Sequence, residues 1–176
     1  TLPTATPETS LKTGAVVFFI AKPNTYPNRN IVLKNMEWDG GYSEQQAIYD
    51  AMPNPAKPSE ALMGGSGAKW GMNGYGLKNS AFCNLYVHDI REEHGIYQHQ
   101  VDGNFEVVAS TFDSVGRTCI QHRHSWTGST TSKTIWANNV CSNACDGSPI
   151  SPHDPSGSWW IYNNQVTKSV GGFASM

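Results

Sequence analysis

The sequence predicts an all-β chain in which short parallel strands stack as a solenoid, and three observations predict it. The first is a weak internal repeat. Phe82–Val87, Val107–Phe112, Ile135–Val140 and Ile161–Val166 can be laid over one another, and Ile31–Met36 fits the same frame. Each segment opens and closes on an apolar residue and carries Asn, Ser or Thr between. The openings lie 25, 28 and 26 residues apart, and the 51 residues from Ile31 to Phe82 leave room for two turns. The second observation is another apolar register behind the first, at Ile48, Ile96, Ile120, Ile150 and Phe173. Two strand signals per period in the twenties point to stacked strands rather than a closed sandwich. The third is composition: only 15% of residues are charged, and 17 are glycine. That is the profile of a turn-rich β protein.

One strand of this length cannot bury its apolar side alone. Stacked on its counterparts at about 4.8 Å, it joins a parallel sheet whose inner face is a continuous core. Asn suits a bend between such sheets, because its side chain bonds to backbone there. Stacking would align Asn138–Asn139 with Asn163–Asn164 as a ladder. In this pattern the chain resembles the right-handed parallel β-helix (pectate-lyase-like) superfamily, over roughly residues 29–173. The resemblance implies a right-handed parallel β-helix of about six coils.

The 176 residues suffice for one domain with a core, residues 14–176, preceded by an extended Pro/Thr-rich arm, residues 1–13. The net charge of −2 with no basic stripe argues against a nucleic-acid partner. The longest apolar run, Ala15–Ala21, is too short to span a bilayer. The chain begins at Thr1 without Met, as after removal of a leader, and an extracellular protein is expected.

Taken in order, Gly14–Ile20 and Ile31–Trp38 read as strands separated by the loop Lys22–Asn30. The period makes Glu44–Met52 a strand. Pro53–Gly76, with Pro53, Pro55, Pro58 and a Gly-rich tail, reads as a coil that bulges into a long loop carrying Trp70, Met72 and Tyr75 outside. From Leu77 onward the coils are compact. Of the four cysteines, Cys141 and Cys145 flank one bend and are expected to close a local disulfide, leaving Cys83 and Cys119 as buried thiols. A zinc set drawn from Cys141, Cys145, His122 and His124 lacks the usual ligand spacing.

Reactive side chains gather in the second register, in Ile96–Gln100, Ile120–His124 and Ile150–Asp154. With the Ile column inward, alternation sends Tyr97, Gln121 and Ser151 outward in one column and His99, Arg123 and His153 in the next. Tyr97, His99, Arg123 and His153 are the candidate catalytic residues. They supply the parts for β-elimination at a uronic acid: Arg neutralises the carboxylate, His or Tyr removes the proton beside it, and Tyr or a second His protonates the leaving oxygen. Gln121, Ser151 and Asp154 are candidate substrate contacts. Ser151-Pro152-His153-Asp154 is similar to the Asp-Pro-His-Asp/Glu motif of β-helical mannuronan epimerases. His153 matches the motif histidine and Asp154 its closing acid, while Ser151 replaces the leading Asp. The other reading of these columns is a polar ladder that only solvates the sheet.

Trp136 and Tyr162 are read as one outward aromatic column continued by Cys83 and Val108, with Trp160 beside it. Such rings stack on sugars or take a covering loop or subunit. His94 is placed at a bend before Gly95, and His122 and His124 inward or into a bend. His88, Asp89, Glu92 and Glu93 form an acidic turn that is either solvated or a weak calcium site. No other cofactor is called for.

The sequence therefore points to a protein that meets an acidic polysaccharide, acting as a lyase or epimerase if it is catalytic. The competing reading is a non-catalytic β-helix segment of a phage tail, spike or surface fibre. Phe173 falls in the Ile column near the last residue, so the final coil is expected to dock on another copy or to continue in a longer parent chain.

Overall fold

In the computed structural model, residues 17–20, 28–40, 71–75, 77–90, 94–99, 102–123, 133–144, 149–153 and 157–168 are described. Every regular element among them is a β-strand. In order these are β1 (Val17–Ile20), β2 (Asn28–Arg29), β3 (Val32–Asp39), β4 (Met72–Tyr75), β5 (Leu77–Ile90), β6 (Ile96–His99) and β7 (Asp102–Val108). There follow β8 (Thr111–Val115), β9 (Ile120–Arg123), β10 (Lys133–Ala137), β11 (Val140–Ser142), β12 (Ile150–His153), β13 (Ser158–Tyr162) and β14 (Gln165–Thr167). A five-stranded sheet has the order β1-β4-β6-β9-β12. A nine-stranded sheet has the order β13-β10-β7-β5-β8-β11-β14, with β2 and β3 also on β5. The pairings in both sheets are parallel, and the chain passes from one sheet to the other and back.

Regularly placed left-handed residues bend the strands of the larger sheet. One row of corners is Asn30, Asn79, Gly103 and Gly157; a second is Asn35, Asn84, Ala109, Asn138 and Asn163; a third is Asp89, Ser114, Asn143 and Lys168. Within β5 alone, Asn79, Asn84 and Asp89 have φ of 49°, 50° and 54°. A positive φ strains most L-residues, and Asn and Asp tolerate it best. That is why Asn dominates these rows. At Gly103, φ 72°, a Cβ would stand 2.7 Å from Asn79 Oδ1, so a side chain there would displace the oxygen that accepts the Asn104 N–H.

The core lies between the sheets. The column Ile96, Ile120 and Ile150 forms as the sequence reading placed it, each residue pairing with the next in register. All three are essentially inaccessible, and each such side chain contributes about 1.5–3 kcal/mol of apolar burial. Opposite them, Phe82, Val107, Trp136 and Ile161 are in register. Phe105 packs edge-on against Phe82 at 5.2 Å between centroids.

Four expectations are corrected. The opening residue of the third repeat is Trp136, not Ile135; the adjacent apolar residue takes the inward place, and Trp136 is fully buried. The partner of Ile96 on the side away from Ile120 is Met72, which is 1% exposed in β4 rather than outside on a loop. β3 pairs directly with β5, so the interval between the first two repeat segments is one step across the sheet and not two, and the segment in register with Phe82–Val87 is Leu33–Trp38 rather than Ile31–Met36. The disulfide joins Cys119 to Cys141, both buried, with Cα atoms 6.1 Å apart. It crosses the interior instead of closing the bend at Cys141 and Cys145, and it removes Cys141 from any zinc set. Cys83 is a free thiol, and burial, aided by the nearby Glu106 charge and opposed by Lys34, pushes its pKa up. The arm 1–13, the strand expected at Glu44–Met52, Trp70, Cys145 and Phe173 lie outside the described residues.

Candidate functional site

The rows of the five-stranded sheet follow from the Ile register. Tyr97 pairs with Gln121 and Gln121 with Ser151. Arg123 pairs with His153, and His99 pairs with Tyr75 on its other side. The backbone thus brings the candidate catalytic positions into neighbouring strands of one sheet. The side chains of His99, Arg123 and His153, and the whole of Asp154, lie outside the described residues. The Tyr97 row is not open to solvent as an outward column would be. Tyr97 is 6% exposed and Ser151 7%, with Gln121 intermediate. The buried His94 ring stacks on Tyr97 with centroids 4.7 Å apart and planes 15° apart. The inward neighbours are also polar: Gln98 and His122 are buried register partners, and the His122 ring lies 4.9 Å from Trp159.

The connections differ between the sheets. In the larger sheet, β7 and β8, β10 and β11, and β13 and β14 are joined by the short bends 109–110, 138–139 and 163–164. The long intervals 40–71, 124–132 and 143–149 all lead to or from the five-stranded sheet.

A second constellation sits where β3, β5 and β8 meet, and the sequence reading caught only part of it. Asp39, His88 and Asp113 are register partners, as are Glu37, Tyr86 and Thr111 two residues earlier. His88 Nε2 lies 3.2 Å from Glu37 Oε1, while Nδ1 lies 2.8 Å from Asp89 Oδ2 and 4.0 Å from Asp39 Oδ1. The Tyr86 ring stacks on the imidazole at 4.3 Å. Asp113 accepts hydrogen bonds from Ser142 Oγ at 2.7 Å and Asn143 Nδ2 at 2.6 Å. A shallow depression of about 430 Å³ adjoins the cluster, with Asn35, Glu37, Asn84, Tyr86 and Thr111 in its lining.

The electrostatics follow from these contacts. Burial pulls the His88 pKa down, but the hydrogen bonds to Asp89 and Glu37 and the fields of Asp39 and Asp89 outweigh it, so His88 titrates above its ordinary range. Burial and the charges of Asp113, Asp89, Glu37 and Asp39 push the Tyr86 hydroxyl up. For Asp113 burial acts upward. The hydrogen bonds from Ser142, Asn143 and the Ser114 backbone, with the His88 charge, prevail and hold it low. Glu37, Asp39 and Asp113 were legible in principle: Glu37-x-Asp39, Tyr86-x-His88 and Thr111-x-Asp113 occupy one frame once the repeat is in register.

The expected aromatic column of Trp136 and Tyr162 does not form. Trp136 pairs with Ile161 and points into the core, while Tyr162 pairs with Ala137 and is 49% exposed. The exposed partner of Tyr162 is Trp160 on the same strand, 50% exposed, with Lys133 Nζ 3.6 Å from its ring centroid.

No protein-family model, curated protein or solved structure gives a significant match to this chain. Among the described residues no helix is long and apolar enough to cross a membrane.

Proposed function

We propose that this chain is a right-handed parallel β-helix that binds an acidic, uronate-containing polysaccharide, with the five-stranded sheet as its ligand face. One observation carries the reading. Arg123 and His153 are register partners in the sheet to or from which the long sequence intervals lead, one row from Tyr97, Gln121 and Ser151. Loops on a rigid scaffold are where binding and catalytic groups concentrate. In this reading Arg123 neutralises the uronate carboxylate, His99 or His153 removes the adjacent carbon-bound proton, and Tyr97 or the other histidine protonates the leaving oxygen. Gln121, Ser151 and Asp154 hold the sugar. The same groups would serve an epimerase that returns the proton to the opposite face. The Cys119–Cys141 disulfide supports an oxidising, extracellular setting.

The test is incubation with a panel of uronate polymers. Unsaturated products absorbing in the ultraviolet are expected, and Arg123→Ala should abolish them. Arg123→Lys should be poor, because the planar fork that grips a carboxylate is lost.

A second reading is a non-catalytic structural segment of a tail, spike or surface fibre. It is favoured by the burial of Tyr97 and Ser151, and by Trp159, Ile161 and Val166, which pack on the core but stay partly exposed in the outermost strands. Those residues would dock on another copy or on a further part of a longer chain. Binding of polymer without any ultraviolet product would favour a binding role without turnover. Absence of both, with self-association in light scattering, would favour the structural role.

A further inference from the structure

We propose that Asp39, His88 and Asp89 form a binding site for a divalent transition-metal ion of the zinc class, on the face opposite the core of β3 and β5. The three donor atoms already lie within 4.8 Å of one another. Two features of the fold assemble them. Asp39 and His88 are partners across the parallel pair β3 and β5, so their side chains stand side by side. Asp89 follows His88 directly and on a regular strand would point to the opposite face. Its left-handed backbone, φ 54°, brings its carboxylate to the imidazole instead, at 2.8 Å.

The imidazole is oriented as a ligand requires. Its Nε2 meets Glu37 Oε1 at 3.2 Å and its plane is held by the Tyr86 ring. A carboxylate on the far nitrogen is the usual outer partner of a metal-bound histidine, and it directs the other nitrogen to the metal. Here that nitrogen, Nδ1, faces Asp89 at 2.8 Å and Asp39 at 4.0 Å, and ionised carboxylates offer it only acceptors. A proton fills one contact; a metal ion engages all three donors. Donors about 2.0–2.2 Å from zinc lie a little over 3 Å apart in a tetrahedral site, so small side-chain rotations close the set. Asp39, the outermost member, is 38% exposed. One nitrogen and two carboxylates favour zinc, cobalt or nickel over calcium or magnesium, which prefer oxygen alone. Three protein donors leave a further position for water or an exchangeable ligand.

The experiment uses the full chain without an affinity tag, stripped with chelator, and titrated calorimetrically with zinc chloride. One ion per chain is expected. His88→Ala and Asp39→Asn should each weaken binding at least tenfold, and Glu37→Gln, which removes the charge of the outer partner, by roughly tenfold. Circular dichroism and the melting temperature verify that each variant folds; if His88→Ala does not, the exposed Asp39→Asn still decides. Absence of a zinc heat, or equal affinity in wild type, His88→Ala and Asp39→Asn, overturns the proposal. Calcium binding at this site without zinc binding overturns the assigned class.

Discussion

Asn139 donates its side-chain amide to Asn164 Oδ1 at 2.9 Å, and the same oxygen accepts the Asn139 backbone N–H at 3.0 Å. One strand pair further in, Asn139 Oδ1 accepts the Ser110 N–H at 3.0 Å, and Ser110 Oγ accepts the Leu85 N–H at 3.2 Å. The amide of Asn139 also reaches Val107 O at 2.9 Å. At a bend the backbone groups cannot all find ladder partners, and these side chains satisfy them. Asn139 is 1% exposed. Asn139→Ala should therefore cost about 2–3 kcal/mol, the desolvation of groups left unpaired. Asn164→Ala, at a half-buried position, should cost less. Urea denaturation of both variants checks the order.

The second prediction concerns the disulfide. Cys119 and Cys141 are 22 residues apart in sequence and tie the approach to β9 to β11 across the interior. Replacing both with Ala should lower stability by about 3 kcal/mol, the loop-closure entropy released to the unfolded chain for a loop of this size. Wild type in reductant should fall by a similar amount. A wild-type melting temperature unchanged by reductant under unfolding conditions would show that the cross-link contributes nothing.

The third prediction is a pH profile for the metal-free protein. The groups facing one another are Glu37 and Asp39 from β3, Tyr86, His88 and Asp89 from β5, and Asp113 from β8. The folded-state pKa of His88 is raised above 6.5, so its contribution is fully present below that value and fades as pH rises through the folded pKa. The pKa of Asp113 is held below 3.8, so its contribution is present above that value and is lost as pH falls through the folded pKa. Together they place a stability maximum in mildly acidic solution. His88→Ala should flatten the decline on the alkaline side, and Asp113→Asn the decline on the acid side. Melting temperatures across pH read both slopes. A neutral-to-alkaline slope identical in His88→Ala and wild type would remove His88 as its source.

The sequence carried the parts of the fold that depend on single-residue periodicity. Ile96, Ile120 and Ile150 have no aliphatic neighbour in sequence, so their column is unambiguous, and with it the pairing of Tyr97, Gln121 and Ser151. The ladder of Asn139 and Asn164 was likewise readable, because bends select Asn. Ile135–Trp136 defeated the same logic: either residue can face inward, and a slip by one exchanges the faces. Met72 was obscured by its setting among glycines, where no strand pattern is visible. The Cys119–Cys141 bridge spans the interior between strands, a distance unrelated to spacing along the chain. The His88 cluster draws on three strands and on the left-handed turn at Asp89, so only the register assembles it.

The fourth prediction separates two tryptophans that stand on one sheet and face opposite ways. Trp136 is fully buried, with Trp159 edge-on at 5.1 Å, so Trp136→Ala should cost about 3–5 kcal/mol and leave a poorly folded protein. Trp160 is half exposed beside Tyr162, and its ring carries the Lys133 ammonium at 3.6 Å. Two aromatic faces with an adjacent cation match what an acidic sugar chain presents: apolar ring faces for stacking and a carboxylate for the charge. If glycan binding extends to this sheet, Trp160→Ala should weaken it severalfold while the melting temperature stays within about a degree of wild type, as for other surface substitutions. Lys133→Ala should weaken binding of uronate polymers more than of neutral ones. Affinity electrophoresis in gels cast with each polymer gives the comparison. Unchanged retardation of Trp160→Ala would confine glycan contact to the five-stranded sheet, where Arg123 and His153 would have to carry it without an aromatic platform.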